Sequence, residues 1–387
     1  MPENKPTVLI FVEDPGAANL ILGLREALER ESFIAIVIAT AFAEAYLSDR
    51  EEKFLPLQSR LSTREIINKF APCLVICGTS ENKKSIGLML IQESKIRGIP
   101  TVGLVDAPMN AEFRFRGHST DPLTFKPDYI FVTSERGKKR FINLGVSDEE
   151  ITVFLNPALI NLEALGKKLN GKRGRDSERS KFFGPVAKSK KILYFLGEKS
   201  NGLNSTDFCR SDDYTLLGRG ESQERTKIVL EEVLDSCKIL DIQVAVFLRL
   251  HPKESPSDYA EYLNEVNLVD SSISTLESAF FADLVVGLST TLLEEARRLG
   301  CNVLSVLPRQ KELEWCPFPE SKKSLIVTTR TELRVKLGQL LKTQNPTYQN
   351  ADREKNSNPY LSELIVDLVK NQKKLRKLNN FSNACDD

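Results

Sequence analysis

The chain has 387 residues, more than one ordinary hydrophobic core accommodates, so its length predicts two domains or one large one. Hydrophobic residues make up 41% and charged residues 28%, which excludes a wholly disordered chain and a small disulfide-stapled protein. The 54 Lys and Arg nearly balance the 53 Asp and Glu, so net charge gives no basis for a general nucleic-acid binder.

The sequence predicts a cytoplasmic protein with neither a membrane anchor nor a structural metal. Its longest uncharged apolar stretch, Phe33–Ala43, has 11 residues, whereas a membrane-spanning helix needs roughly 20. Seven cysteines without a secretion signal are expected to be free thiols. The two histidines, His118 and His251, and the lack of a Cys-x-x-Cys pair leave too few ligands for structural zinc.

Strand-like and helix-like stretches alternate through the first 160 residues. In chain order, the pattern predicts strands at 7–12, 33–39, 73–77, 101–105, 129–133 and 151–155, and helices at 17–30, 62–70, 85–97 and 135–144. Continuous apolar strands that alternate with helices are typical of a parallel sheet covered on both faces.

The same alternation restarts after residue 190. Strands are predicted at 192–196, 243–250, 267–269, 284–286 and 302–306, and helices at 223–240, 257–266 and 291–299. The fold class is therefore predicted to be α/β, with two doubly wound Rossmann-like domains over residues 1–165 and 192–345.

Two further segments carry excess positive charge. Lys167–Lys191 holds ten Lys and Arg against two Asp and Glu, with little to bury, so residues 166–191 are predicted to be a mobile basic linker. Residues 346–387 are predicted to form a C-terminal helix and a polar tail, with five Lys and Arg from Lys370 to Lys377. Peripheral contact with an anionic membrane through the linker and this helix stays open beside plain solvation.

The sequence lacks several common catalytic motifs. No Gly-x-Gly-x-x-Gly follows the first strand, and no Gly-x-x-x-x-Gly-Lys-Ser/Thr occurs, so the usual phosphate cradles of dinucleotide enzymes and P-loop enzymes are missing. There is no Gly-x-Ser-x-Gly elbow of the α/β-hydrolases. The remaining candidates are loops at the carboxyl ends of strands, where doubly wound sheets bind ligands.

The first domain offers two such loops. Asp14 and Gly16 lie directly after the first strand, where Gly16 lets backbone amides approach a ligand. Asp106 ends another strand and is placed to act as a general base in a cleft between two domains. The structural alternatives are a tight strand-to-helix turn for the first loop and an Asp that caps its own loop for the second.

In the second domain, Arg249-Leu-His251-Pro252-Lys253 follows a strand. Cationic side chains around a fixed proline turn are typical of a phosphate-binding cluster. His251 can donate a hydrogen bond to a diphosphate or protonate a leaving phosphate. The alternative is a structural histidine.

A fourth loop contains three consecutive hydroxyl residues at the predicted start of a helix. Ser289, Thr290 and Thr291 offer hydroxyls and amides to a phosphate, and Glu295, one turn further on, can accept hydrogen bonds from a ribose diol. A capping box of the form Ser/Thr-x-x-Glu explains part of the pattern without a ligand.

Ala282–Leu304 resembles the nucleotide-binding segment of the GT-B superfamily, which includes many glycosyltransferases, the UDP-N-acetylglucosamine 2-epimerases and the teichoic-acid glycerophosphotransferases. Pro127–Thr133 and Gly145–Pro157 resemble the closing strands of its N-terminal domain. Arg249–Pro252 is similar to the His-Pro element of bacterial sialyltransferases and glycerophosphotransferases, which contacts nucleotide phosphates. The resemblance covers roughly residues 7–345 and implies GT-B architecture with a C-terminal crossing helix.

The resemblance implies a transferase of surface polysaccharide synthesis. It would move a sugar, or a glycerol-phosphate-like group, from a nucleotide-activated donor to a glycan or lipid-linked acceptor. Either Asp106 or Asp14 would deprotonate the acceptor, since the first loop lacks the Gly-His common in the superfamily. No metal or separate cofactor is expected if cationic side chains neutralise the leaving phosphate. A nucleotide-sugar 2-epimerase and a non-catalytic GT-B-like scaffold stay open as alternatives. The expected donor-binding residues are Gly16, Arg249, His251, Ser289, Thr290, Thr291 and Glu295.

Overall fold

The computed structural model describes residues 5–57, 61–80, 82–172, 176–199, 209–316, 318, 320–343 and 358–382. The chain divides into two compact units, one of Met1–Ala158 with Asn356–Asp387 and the other of Leu159–Lys355. Each unit contains one parallel sheet with helices, which confirms the predicted α/β class.

The first unit is built on a seven-stranded sheet. Its strands are β1 (Thr7–Val12), β2 (Ile34–Ala39), β3 (Leu55–Pro56), β4 (Leu74–Gly78), β5 (Thr101–Val105), β6 (Tyr129–Val132) and β7 (Ile151–Val153). Their spatial order is β3-β2-β1-β4-β5-β6-β7. The chain order reverses between β1 and β4, so the switch point of this sheet lies at their carboxyl ends.

Helices cover both faces of this sheet. They are α1 (Pro15–Leu20), α2 (Leu24–Arg30), α3 (Phe42–Ser48), α4 (Thr63–Phe70), α5 (Ile86–Ile96), α6 (Ala111–Arg114), α7 (Glu135–Asn143) and, numbered by its place at the chain's end, α14 (Leu361–Ser382). Alternate residues of β1 serve separate cores: Val8 and Ile10 pack with α1, α2, α3 and α14, whereas Leu9 and Phe11 pack with α4, α5 and α7.

Local sequence determines where several of these helices begin and end. Ser62 caps α4, because its hydroxyl accepts from the Glu65 amide at 3.3 Å and the Glu65 carboxylate accepts from the Ser62 amide at 2.8 Å. The single helix predicted over 17–30 is instead α1 and α2, separated at Gly23, which has a φ of +69°.

The C-terminal helix α14 belongs to the first unit. Leu361 and Ile365 are buried in the same core as Val8. The segment is fixed at its start by a hydrogen bond of 2.9 Å from the Leu155 amide to the Pro359 carbonyl. The chain therefore returns to the first unit after completing the second.

The second unit is built on a six-stranded sheet. Its strands are β8 (Lys191–Leu196), β9 (Val244–Arg249), β10 (Asn267–Leu268), β11 (Leu284–Gly287), β12 (Val303–Val306) and β13 (Ile326–Val327), in the spatial order β10-β9-β8-β11-β12-β13. Its helices are α8 (Pro157–Asn170), α9 (Asp176–Phe183), α10 (Arg225–Lys238), α11 (Thr275–Phe281), α12 (Leu292–Arg298) and α13 (Arg330–Lys342). The chain order of the strands reverses between β8 and β11, so the switch point of this sheet lies at their carboxyl ends.

The prediction of a mobile basic linker is wrong for the described residues of Lys167–Lys191. They include the end of α8 and all of α9, and Leu169 and Phe183 are buried in the core of the second unit. The Phe183 ring lies 4.8 Å from that of Phe247, centroid to centroid. The charged residues lie around a few large apolar anchors, which overall composition does not show.

The other differences are smaller. Pro256–Tyr262 form a 3-10 helix where an α-helix was predicted over 257–266. Within the described residues, no helix is long and apolar enough to cross a membrane. Six of the seven cysteines are described, and none of these six is in a disulfide.

Candidate functional site

The carboxyl edge of the second sheet collects the loops that follow β8, β9 and β11. β8 pairs with both β9 and β11, so the ends of these three strands lie side by side. The crevice at such a switch point is where doubly wound sheets bind ligands.

Ser289 lies at this switch point and is bonded to a carboxylate of its own chain. Its amide donates to Glu198 Oε2 at 2.8 Å, and its hydroxyl donates to Glu198 Oε1. Glu198 comes two residues after β8. The predicted phosphate ligand Ser289 therefore faces an acidic side chain that was not among the predicted site residues.

Glu198 begins a buried network of charges. Arg225, whose side chain is 1% exposed, donates to Glu198 Oε1 at 2.9 Å and to the Ser289 hydroxyl at 3.1 Å. Its Nε donates to Glu312 at 2.6 Å, and Glu312 also accepts from Arg309 at 2.7 Å. Burial alone would raise the pKa of Glu198, but the charge of Arg225 and the two bonds from Ser289 lower it, so the carboxylate is ionised at neutral pH.

The Trp315 ring lies against both guanidinium groups of this network. Its centroid is 5.5 Å from Arg225 Cζ and 5.6 Å from Arg309 Cζ. Trp315 is the single tryptophan of the chain. The ring is therefore a natural reporter on the buried cations.

Glu295 is buried and lies six residues after Ser289 in the chain. It is 6% exposed, and no hydrogen-bond donor or cation within the described part of the chain contacts its carboxylate. Burial raises its pKa to about 7, with a smaller contribution from the charge of Glu294. Thr291 precedes α12 without a side-chain capping bond, so the predicted capping alternative does not hold for its hydroxyl. The Thr290 hydroxyl accepts a long bond of 3.4 Å from the Leu292 amide.

Arg249 is bonded to the backbone of a neighbouring loop. Its guanidinium donates to three backbone carbonyls of the loop after β10, those of Asp270 at 2.5 Å, Ser271 at 2.9 Å and Ile273 at 3.0 Å. Arg249 therefore holds that loop in place.

His251 lies beside the switch point in a defined tautomer. Its Nδ1 accepts from the Lys253 amide at 3.1 Å, so in the neutral ring the proton is on Nε2, which can donate to an anion. A β-carbon on Gly197 would lie 3.2 Å from the His251 amide and 3.0 Å from the Arg249 carbonyl. The glycine thus allows the loops after β8 and β9 to meet.

At the carboxyl edge of the first sheet, Gly16 and Asp106 are in direct contact. A β-carbon on Gly16 would overlap the Asp106 carboxylate, with Cγ only 2.9 Å away. Asp106 forms an ion pair with Arg114, with 3.4 Å between Oδ1 and Nη2. Asp14 precedes α1 and makes no capping bond to it. The two candidate bases therefore lie on loops that meet at Gly16.

A further buried acid on this edge, Glu13, was not among the predicted site residues. Its carboxylate accepts from the Ser80 hydroxyl and, at 2.9 Å, from the Ser85 hydroxyl. Burial raises its pKa, although both serines act in the opposite direction. A sequence signal existed: β4 and β11 both end in Gly-x-Ser, at Gly78–Ser80 and Gly287–Ser289, and each serine bonds to a Glu that follows the neighbouring strand.

No group of three or more His, Cys, Asp or Glu side chains within the described ranges could hold a metal ion. No known family model matches the chain. No curated protein sequence matches it either.

Solved structures do match along almost the whole chain. The UDP-GlcNAc 2-epimerase from Neisseria meningitidis bound to UDP-GlcNAc is 16% identical, with a TM-score of 0.61 over 94% of this chain and 100% of that one. The S. aureus MnaA–UDP structure is 15% identical, with a TM-score of 0.63 over 96% and 97%. Anabaena Alr3699/HepE in complex with UDP and glucose is 14% identical, with a TM-score of 0.60 over 97% and 100%.

The chain has a GT-B fold. This confirms the architecture that the sequence resemblance predicted. At such low identity the likeness establishes the fold and leaves substrate and reaction to other evidence.

Proposed function

We propose that the chain is an enzyme that acts on a nucleotide-activated sugar bound by its second unit. The observation that carries this proposal is Glu295, a buried carboxylate without a donor among the described residues. Burying such a group without hydrogen bonds is unfavourable, and the two hydroxyls of a ribose would supply them. The similar solved structures bound to UDP, UDP-GlcNAc or UDP-glucose support a nucleotide of this kind.

In this proposal the phosphates lie along the loop after β11. Ser289, Thr290 and Thr291 offer amides and hydroxyls, and His251 offers its Nε2 proton from the neighbouring loop. These donors would stabilise the negative charge that develops on the leaving phosphate, so no metal or separate cofactor is required. Arg249 serves mainly to hold the loop around Ser271.

The leading reaction is transfer of the sugar to a hydroxyl of a glycan or lipid-linked acceptor. Asp106 or Asp14 would remove the acceptor proton. Asp106 is held in position by Arg114 and by its contact with Gly16. Epimerisation at C2 of the sugar is the second candidate, favoured by the 2-epimerases among the similar structures.

Calorimetric titration with UDP-, CMP-, CDP- and GDP-activated sugars tests the binding step. One donor should bind, and His251→Ala should weaken it by roughly ten- to a hundredfold, the usual effect of losing a charged hydrogen bond. His118→Ala, which removes the other histidine, should bind like the wild type. If none of these donors binds, the scaffold alternative gains support.

Product analysis separates the two reactions. An epimerase consumes the donor with no acceptor present and yields an isomerised or free sugar. A transferase consumes it at a comparable rate only when an acceptor hydroxyl is supplied.

A further inference from the structure

The Glu198 carboxylate occupies a ready-made anion site at the switch point of the second sheet. It accepts from the Ser289 amide at 2.8 Å, from the Ser289 hydroxyl, and from Arg225 Nη1 at 2.9 Å. A backbone amide, a hydroxyl and a guanidinium are also the donors that proteins use to bind phosphate oxygens. A carboxylate of the chain itself therefore stands where a phosphate group would find its natural partners.

Charge makes the carboxylate and a phosphate mutually exclusive at this position. Within the described residues, Arg225 contacts two carboxylates, those of Glu198 and Glu312, and Arg309 contacts Glu312 and, at 3.6 Å, Asp213. With Glu198 turned away, Arg225 would lose one of its two carboxylate contacts. An anion in the same place would restore that contact to a buried guanidinium.

The main chain at Glu198 is anchored independently of its carboxylate, because its backbone carbonyl accepts from the Thr226 hydroxyl. The residue follows Gly197 at the end of β8, and its side chain is 9% exposed. The inference therefore requires a movement of this side chain and not of the main chain.

We propose that a phosphate or diphosphate group of the ligand replaces the Glu198 carboxylate on Ser289 and Arg225, so that Glu198 acts as an internal competitor of the ligand. Arg225 then becomes a direct phosphate ligand, and Glu198 sets how tightly the site binds anions. The inference deepens the proposed function and rests on it for the identity of the ligand, while the anion site itself can be tested without a nucleotide.

The test titrates inorganic pyrophosphate and UDP into the wild type, Glu198→Gln and Glu198→Asp. Glutamine removes the competing charge, and aspartate keeps the charge but shortens its reach to Ser289. Both variants should bind pyrophosphate about ten- to a hundredfold more tightly than the wild type, because in neither does a carboxylate have to be displaced from Ser289. Glu13→Gln is the matched control: it removes the equivalent serine-bonded glutamate of the first unit and should leave pyrophosphate affinity unchanged.

The single tryptophan provides a readout on the wild type itself, which guards against a variant that fails to fold. If an anion reaches Arg225, pyrophosphate should change the fluorescence of Trp315, whose ring lies against that guanidinium. Arg225→Lys should abolish this change.

The outcomes separate the inference from the proposed function. Tighter pyrophosphate binding by the Glu198 variants supports the inference, even if no nucleotide binds and the proposed function fails. The inference would be overturned if the wild type binds UDP but both Glu198 variants bind pyrophosphate and UDP no more tightly than the wild type does. The proposed function would then remain intact. An unchanged Trp315 signal at saturating pyrophosphate would also overturn it.

Discussion

Replacing Glu295 by Gln should stabilise the ligand-free protein at alkaline pH and leave its stability nearly unchanged in acid. Burial raises the pKa of Glu295 to about 7 in the folded state, whereas the unfolded value is about 4.3. Below the unfolded value both states are protonated, so the carboxyl has no effect on stability. As the pH rises towards 7, only the unfolded state ionises, and the folded state loses stability relative to it.

The magnitude follows from the size of the shift. A rise in pKa to about 7 is a shift of nearly three units, and each unit is about 1.4 kcal/mol. Well above pH 7 the wild type is therefore destabilised by about 4 kcal/mol, and Glu295→Gln, which cannot ionise, should recover most of this.

Urea unfolding between pH 4 and pH 8, followed by Trp315 fluorescence, measures the effect. Trp315 is the chain's single tryptophan and lies in the second unit with Glu295, so its signal reports the unfolding of that unit. Glu221→Gln, at an exposed position of the same unit, is the control and should follow the wild type at every pH. A stability difference between Glu295→Gln and wild type that does not grow with pH would refute the reasoning.

Four further predictions concern ligand binding and turnover. The affinity of the wild type for a UDP-sugar, measured by calorimetry, should rise from pH 6 towards pH 8 and then level off, because in the proposed function the ribose hydroxyls bind the ionised Glu295. Glu295→Gln should show no such rise. Gly16→Ala should lower stability in urea unfolding by about 1–3 kcal/mol and also lower turnover, because its β-carbon overlaps Asp106. Arg249→Gln should lower the urea midpoint but leave UDP-sugar affinity within about twofold, because its guanidinium holds backbone carbonyls; a tenfold loss of affinity would instead favour the phosphate role. Asp106→Asn and Asp14→Asn should differ when they are assayed side by side with an acceptor. The variant that removes the base should lose turnover by ~10²–10⁴-fold and keep its donor affinity. If neither variant loses turnover, both assignments fail.

The strands of both sheets could be predicted from the sequence because they are short, continuous apolar runs. The predicted strand 7–12 has the bounds of β1, and 101–105 has those of β5. Their residues are buried on both faces of a parallel sheet, so no alternation with polar residues obscures them. The end of α8 and all of α9 were missed because basic residues outnumber the apolar anchors, such as Phe183, that fix them to the core.

The candidate site could be predicted only as far as the loops. Strand ends in a doubly wound sheet meet at one edge, so Ser289 and His251 could be placed near each other before the structure was known. Their bonding partners are not local in sequence: Glu198 is 91 residues from Ser289, and the residues bonded to Arg249 begin 21 residues away. Which partner each polar group finds depends on the tertiary structure, so the sequence could propose a phosphate role for Arg249 but could not predict the backbone carbonyls to which it donates.

The switch points of the two units show how one local arrangement can serve two different purposes. In each, a buried glutamate after the first strand accepts from a serine after the neighbouring strand, Glu13 from Ser80 and Glu198 from Ser289. They differ in charge compensation, because burial dominates at Glu13 and raises its pKa, whereas Arg225 lowers that of Glu198. Removing the Glu13 carboxylate would free the neutral hydroxyls of Ser80 and Ser85, whereas removing that of Glu198 would take away one of the two carboxylates that contact the buried Arg225. This difference supports our proposal that phosphate binds to the second unit and that an acceptor would bind to the first unit, with Asp106 and Asp14 at its edge.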